Sequence, residues 1–151
     1  GGRVYRVGVR AAGALGKCAG VRARGPLLVA HADDCPWVRV AAATGLGKLG
    51  DDQDAPSLVR MLEADESLVV RRAALSALGS LDAYAISRPA LLKALTDEDA
   101  LISRRAAEQL ARAGNPDDSA ALRPLLRDER MVFGRSVGEV ASEAINTLSS
   151  S

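Results

Sequence analysis

The chain has 151 residues, 48% of them hydrophobic, and a formal net charge of +1 at pH 7. This length and apolar content suffice for one continuous core, so we predict a single domain over residues 1–151. The near-balance of charge provides no overall attraction to nucleic acid or to a membrane surface, and no apolar run approaches the roughly 18 residues that a membrane-spanning helix needs. Because the chain starts at Gly1 without a methionine or a signal-peptide core, we expect a processed or excised fragment.

A near-identical phrase recurs along the chain at a fixed interval. Val38-Arg39-Val40-Ala41-Ala42 is followed by Leu46-Gly47, and Val70-Arg71-Arg72-Ala73-Ala74 is followed by Leu78-Gly79. The interval of 32 residues is too long for a coiled-coil heptad and is typical of stacked two-helix units. Weaker copies fit at 7–16, at 104–107 with the downstream leucine displaced by one residue, and at 137–148. Five copies are therefore predicted, the first and last degraded.

Apolar residues within each copy step by three and four, which predicts helices separated by short polar turns. First helices of the units are predicted near 4–18, 36–49, 67–81, 100–113 and 134–148. Second helices are predicted near 26–32, 55–64, 87–96 and 118–127. Pro56 and Pro89 are each expected in a first helical turn, where a missing amide has no helical partner to lose. Pro124 falls beyond the first turn and predicts a kink or a late start.

The repeated pattern is V-R-x-A-A-x-x-A-L-G, a Gly-Asp turn, then A-x-P-x-L-x-x-x-L and an Asp-rich turn. It resembles HEAT-like repeats of the short type that is also found in phycobilisome lyases. The resemblance covers nearly the whole chain and implies an all-α fold, a right-handed α-solenoid of about five helix-turn-helix repeats with degraded terminal copies. It does not indicate one function, because such arrays serve unrelated tasks.

Cys18 and Cys35 are the only cysteines. The predicted helices place them at opposite edges of the array, farther apart than the roughly 7 Å between Cα atoms that a disulfide allows. We therefore expect free thiols. Free thiols indicate a cytoplasmic location, because disulfides are rare in reducing compartments.

Motifs that suggest chemistry are few. Gly45-Leu46-Gly47-Lys48-Leu49-Gly50 matches the dinucleotide-binding G-x-G-x-x-G, but the repeat frame puts these glycines at a helix end, where close packing and a helix stop explain them. His31 is the only histidine, so a multi-histidine metal site is excluded. Deoxyhypusine hydroxylases resemble this array but carry His-Glu pairs, and the chain has none. We expect His31 at a helix C-terminus or in a partner contact, and no enzyme activity, cofactor or metal.

Acidic residues recur in the turns. Asp51, Asp52 and Asp54 have an alternative interpretation as a cation site, but they lack the glycine and closing glutamate of a calcium loop. The favoured interpretation is structural: the acids cap helices and pair with arginines as a ladder between repeats. The predicted pairs are Asp34, Asp65, Asp97 and Asp128 with Arg39, Arg71, Arg104 and Arg135.

Basic residues on the second helices and their approaches are the strongest functional candidates. They are Arg24, Arg60, Arg88, Lys93, Arg123 and Arg127, whereas Glu63 is the one acid in these helices beyond their first residues. In HEAT-like arrays these helices line the concave face. We predict that Arg60, Arg88, Lys93 and Arg127 bind a partner. The alternative is a merely solvated face.

Three hypotheses of function follow. The first is a non-catalytic scaffold whose concave face binds an acidic protein segment. The second is nucleic-acid binding by the same face, although the aromatic residues Trp37, Tyr5, Tyr84 and Phe133 are scattered through first helices or turns rather than grouped as wedges beside a carboxylate. The third is a chromophore lyase-related subunit, for which no catalytic residue carries over.

Overall fold

The computed structural model describes residues 24–150, and at Arg24 it describes the backbone alone. The helix predicted near 4–18 and the thiol of Cys18 lie outside these residues. The α-helices of the described part are α1 (Arg24–Ala30), α2 (Pro36–Leu49), α3 (Ala55–Ala64), α4 (Leu68–Leu78), α5 (Tyr84–Ala94), α6 (Ala100–Ala113), α7 (Ser119–Leu122) and α8 (Val137–Ser149). Short 3-10 helices cover Asp52–Asp54, Pro116–Asp118 and Arg123–Arg127.

One hairpin interrupts this helical pattern in the described residues. Its strands, β1 (Met131–Val132) and β2 (Arg135–Ser136), are antiparallel, with Met131 opposite Ser136 and Val132 opposite Arg135. The prediction of an all-α chain is confirmed apart from this small insertion. The predicted bounds 36–49, 55–64 and 100–113 are those of α2, α3 and α6.

The chain divides into two compact units, residues 1–86 and 87–151, and each is described by itself. In the first unit α2 packs against α1 and α4, and α3 packs against α4. In the second unit α6, α7 and the 3-10 helix Arg123–Arg127 pack on α8. That residues 1–151 act as one domain stays a prediction.

The first unit packs through the repeated phrase. Val38, Ala42 and Leu46 of α2 are buried, as are the residues one period later in α4. The two helices approach so closely that a Cβ atom on Gly47 would lie 2.8 Å from the Cα of Ala77. Small residues at these positions therefore permit the contact, because any larger side chain at Gly47 would overlap the neighbouring backbone.

In the second unit the phrase continues in the same frame. Ile102, Ala106 and Leu110 follow the corresponding residues of α4 by 32 positions and are fully buried. The predicted displacement of the leucine is therefore wrong, since it arose from aligning Arg104 with the arginine of the phrase. Ser103 occupies that position, and its Oγ donates to the carbonyl of Leu95 at 2.7 Å.

The prediction that Pro89 starts a helix is wrong. Helix α5 begins at Tyr84, and Pro89 lies inside it. Ala83 and Ser87 are buried, so the packed face extends to a turn before the proline, while the ring itself is exposed. A proline on the solvent side loses one hydrogen bond but meets no packed neighbour. Pro56, by contrast, lies in the first turn of α3 as predicted.

The stretch from Ser119 to α8 departs most from the predicted helices. Helix α7 ends at Leu122, and the chain continues as a 3-10 helix because the ring of Pro124 removes an amide that a continuing α-helix would use. The predicted kink or late start is thus an early end of the α-helix.

Helix α8 begins at Val137 and not near 134, because Ser136 caps it. The Ser136 Oγ accepts from the amide of Glu139 at 3.1 Å, and the Glu139 carboxylate accepts from the Ser136 amide at 2.8 Å. This reciprocal capping box satisfies amides that have no helical partner. It leaves the preceding residues to the hairpin.

Candidate functional site

Two predicted binding residues occupy equivalent places on the second helices. Arg60 is exposed on α3, and Leu58 and Leu62, two positions before and after it, are buried. Lys93 is exposed on α5, where the leucines two positions away are likewise buried. The predicted division of these helices into a leucine side and a charged side is confirmed.

Arg88 is held inside the second unit. Its guanidinium contacts one oxygen of Asp118, with Nη2 at 2.6 Å and Nε at 2.8 Å from Oδ1. The Asp118 side chain is completely buried, whereas 36% of the Arg88 side chain is exposed. A buried carboxylate needs a compensating charge, so Arg88 stabilises the fold besides any contact that it makes with a partner.

Arg127 is exposed at the end of the 3-10 helix Arg123–Arg127. It belongs to the second unit with Arg88 and Lys93, whereas Arg60 belongs to the first. A stripe formed by all four residues therefore stays a prediction.

The arginine ladder exists in the first unit with a shifted register. Arg39 binds the carboxylate of Asp65 through Nε at 2.8 Å and Nη2 at 2.9 Å, and only 10% and 8% of the two side chains are exposed. Asp34, the predicted partner, contributes its backbone carbonyl, which accepts from Arg39 Nη1 at 3.2 Å. The prediction of an Asp34–Arg39 pair is wrong, because Arg39 reaches across to the turn of the next repeat.

This contact determines how Asp65 titrates. Burial tends to raise the pKa of the Asp65 carboxyl, but hydrogen bonds from Arg39 and from the amide of Ser67 outweigh burial and lower the pKa below its ordinary value. Arg71, the predicted partner of Asp65, donates from Nη1 to its backbone carbonyl at 3.3 Å. Asp65 therefore links α2 and α4, since its carboxylate binds Arg39 and the Ser67 amide and its backbone carbonyl binds Arg71.

Arg130 performs the same role in the second unit, and the sequence analysis did not identify it. Its Nη2 lies 2.6 Å from the Asp128 carboxylate, while Nη1 donates to the carbonyls of Asp97 and Glu98 at 3.0 and 2.9 Å. The hydrogen bonds from Arg130 lower the pKa of Asp128. Since Ser103 stands where the phrase has arginine, Arg130 supplies the guanidinium from a different segment.

The two remaining predicted pairs are also wrong. Arg104 binds Glu108 at 2.9 Å and the carbonyl of Val132 at 2.7 Å rather than Asp97. Arg135 binds Glu143 at 2.5 Å rather than Asp128. The hairpin separates Arg135 from Asp128 and brings Val132 to Arg104.

The glycine motif forms no phosphate-binding turn. Gly45 and Gly47 are buried within α2. Gly50 follows the helix with a φ of 67°, and its amide donates to the carbonyl of Leu46 at 3.2 Å. Left-handed backbone at a helix end suits glycine. The interpretation as close packing and a helix stop is confirmed.

His31 and the acids of the Asp51–Asp54 turn have structural contacts. His31 follows α1, and its Nδ1 donates to the carbonyl of Leu28 at the helix C-terminus. Asp51 accepts from the amide of Gln53 at 3.0 Å, and Asp52 accepts from that of Asp82 at 2.9 Å. Across residues 24–150, no group of three or more histidine, cysteine, aspartate or glutamate side chains is placed to hold a metal ion.

The hairpin is the feature of the second unit that the sequence analysis missed. Phe133 and Gly134 form its two-residue turn, with φ of 49° and 80°. Val132 is buried, whereas Met131 and Phe133 are 63% and 82% exposed. Two features of the sequence indicate this hairpin. The Phe133-Gly134 pair is compatible with a tight turn, and the Ser136-x-x-Glu139 capping box starts the following helix later than predicted.

Comparison with known families agrees with this architecture. The sequence model of HEAT repeats matches residues 5–79 and 65–137. No curated protein gives a significant match. None of the helices described between residues 24 and 150 has the length and hydropathy to cross a membrane. The sequence repeats every 32 residues, and the family model matches most of the length of the chain. The chain therefore belongs to the HEAT repeat family.

Proposed function

We propose that this chain is a non-catalytic interaction scaffold that binds an acidic segment of a partner protein on its concave face. HEAT repeats commonly act as protein-interaction scaffolds, and arrays of this kind bind partners along an extended surface. The observation that carries the proposal is the equivalent placement of Arg60 and Lys93, each exposed between buried leucines. One cation at the same place in successive repeats suits an extended acidic segment.

The proposed binding set is Arg60, Arg88, Lys93 and Arg127. Arg127 is exposed, and Arg88 shares its guanidinium with Asp118. Exposed charges contribute little to stability, so Arg60 and Lys93 are open to substitution without loss of the fold. This separates their effect on binding from an effect on folding.

The proposal includes no catalytic step, cofactor or metal, and it places the protein in the cytoplasm. Cys35 is a buried free thiol, which agrees with a reducing compartment. The finer resemblance to repeats of the phycobilisome-lyase type carries no catalytic residue to this chain. We therefore do not extend the proposal to a chromophore lyase-related subunit.

Selection from a random peptide library displayed on phage tests the proposal. Peptides retained by the full chain should be enriched in aspartate and glutamate. The double variant Arg60→Glu, Lys93→Glu should fold normally by circular dichroism and bind these peptides about tenfold or more weakly. The control Lys48→Glu, Arg112→Glu makes the same change of charge on first helices and should retain affinity. Full affinity in the first double variant would show that the basic residues are only solvated.

A titration with duplex DNA separates the nucleic-acid alternative. Binding in the micromolar range that weakens steeply with salt would favour a nucleic-acid-binding HEAT-like module. Absence of binding at low salt excludes it, because phosphate attraction is strongest there.

A further inference from the structure

A short segment of the second unit exposes three large apolar side chains. Phe133 is 82% exposed, Met131 is 63% exposed, and Leu126, in the 3-10 helix before the hairpin, is 46% exposed. Single exposed apolar residues are ordinary on protein surfaces. Three of them within residues 126–133 make this segment a candidate for a contact with another molecule.

Phe133 also has a backbone conformation that disfavours it. A two-residue turn with positive φ at both central residues favours asparagine or aspartate followed by glycine, because a bulky side chain is strained at the first position. Phe133 stands at that position with a φ of 49°, and Gly134 follows with 80°. An aromatic ring that is strained and almost fully exposed gains little inside the chain, which points to a contact outside it.

The hairpin is nevertheless firmly attached to its unit. Val132 is buried, and its carbonyl accepts from Arg104 Nη1 at 2.7 Å. The amide of Val137 donates to the carbonyl of Arg130 at 3.0 Å, and Arg130 is itself fixed by Asp128 at 2.6 Å. A pre-organised tip loses little entropy on binding, so its apolar side chains can contribute strongly to affinity.

Two exposed arginines, Arg123 and Arg127, lie in the 3-10 helix before the hairpin. The other two arginines of residues 123–136 are paired, Arg130 with Asp128 and Arg135 with Glu143, and Glu129 is the remaining acid of this segment. An acidic surface therefore complements the segment that leads to the apolar tip.

We propose that the hairpin 131–136 is the apolar anchor for the acidic partner. Phe133 and Met131 pack against apolar side chains of the partner segment, and carboxylates of the same segment face Arg123 and Arg127. This inference rests on the proposed function, because it assigns a second contact to the same acidic protein. Aromatic residues, methionine and arginine are the residue types enriched at protein interfaces.

The phage-selected peptides test the anchor with variants that keep the hairpin. Phe133→Asn suits the positive φ, so the turn should form at least as well as in the natural chain. Peptides that combine acidic and apolar residues should bind Phe133→Asn about tenfold more weakly, and Met131→Ser should weaken them further. Val29→Ser is the matched control, since Val29 is a 77% exposed apolar residue of the first unit, and it should change nothing.

The outcomes separate this inference from the proposed function. If the peptides lose affinity for Arg60→Glu, Lys93→Glu but not for Phe133→Asn, the anchor is overturned and the acidic-partner function stands. If only Phe133→Asn weakens peptide binding, the anchor stands and the assignment of binding to the concave face fails. If the selection yields no peptides that combine acidic and apolar residues, the anchor is also overturned. Phe133-dependent sedimentation with vesicles of phosphatidylserine and phosphatidylcholine in the absence of peptide binding likewise overturns it, because the tip then binds lipid.

Discussion

Helices α2 and α4 follow the repeat, whereas residues 119–149 depart from it. A glycine lies at a close contact in each region. In the first, a Cβ on Gly47 would lie 2.8 Å from the Cα of Ala77 in the neighbouring helix. In the second, a Cβ on Gly138 would lie 2.7 Å from the carbonyl oxygen of Leu126, in the 3-10 helix. The regular region thus packs helix on helix, and the irregular region packs a helix on backbone carbonyls of the preceding segment.

The array keeps its stabilising contacts where its sequence pattern breaks. Arg39 binds a neighbouring turn from within the phrase, whereas Arg130 does so from the segment before the hairpin, since the corresponding position of the phrase is Ser103. The first arrangement is buried and the second is more exposed. The irregular region retains the link and gains an exposed hairpin, and there we place the second partner contact.

The largest expected effect comes from breaking the buried pair of the regular region. Asp65→Ala leaves the Arg39 guanidinium buried without its carboxylate, so the free energy of unfolding should fall by about 3–5 kcal/mol in urea denaturation. Asp128→Ala removes the more exposed equivalent, and the loss should be smaller, about 1.5–3 kcal/mol. Equal losses would contradict the difference that we draw between the two regions.

Calorimetry of Asp65→Ala also tests the prediction of a single domain. Repeats that depend on their neighbours should unfold together, so one transition should shift as a whole to lower temperature. Two transitions, of which only one moves, would show that residues 1–86 and 87–151 unfold independently.

A methyl group at the tightest helix contact should have the next largest effect. Gly47→Ala places a Cβ against the backbone of Ala77, which cannot move aside as a side chain can, so the free energy of unfolding should fall by about 1–3 kcal/mol. Gly25→Ala makes the same change in α1, where nothing lies within 4 Å. It should be neutral or stabilising by up to about 1 kcal/mol. Similar behaviour of the two variants would argue against the close approach of α2 and α4.

Acidification should weaken both regions through their carboxylates. The pKa values of Asp65 and Asp128 are lowered in the folded chain, so each group contributes stability above its ordinary pKa of about 3.9 and loses it as the pH falls toward the folded value. The free energy of unfolding should drop below about pH 4, by at most about 1.4 kcal/mol per pH unit for each group. Asp65→Asn should give a shallower pH profile, and a profile parallel to that of the natural chain would contradict this assignment.

The smallest expected effect has the opposite sign. Phe133→Asn replaces a strained aromatic residue by one that tolerates positive φ, and the ring loses little packing because it is 82% exposed. The free energy of unfolding should rise by up to about 1 kcal/mol. A clear loss of stability would mean that Phe133 packs within the chain and is not kept for a partner.

The helices of the regular region were predicted well from the sequence, because the apolar spacing, the turn residues and the position of Pro56 all indicate the same helices. Helices α2, α3 and α6 have the predicted bounds. The irregular region was predicted poorly because two local signals compete with the period. Pro124 ends a helix that the period continues, and the capping box at Ser136 starts α8 after the predicted residue.

The candidate site was predictable only in part. Exposure of Arg60 and Lys93 follows from helical spacing alone. The pairing of Arg88 with Asp118 joins residues 30 positions apart, which spacing within one helix does not reveal. The position of Arg130 depends on the hairpin, so its contacts with the Asp97 and Glu98 carbonyls had no signal in the repeat.

Hydrogen–deuterium exchange of the full chain, with and without a phage-selected acidic peptide, shows which elements a protein partner contacts. If the partner binds the second helices and the hairpin, exchange should slow in α3, in α5 and across residues 123–136, and should not change in the first helices α2 and α6. Protection confined to α2, α4 and α6, with the hairpin unchanged, would contradict binding by the second helices and the hairpin.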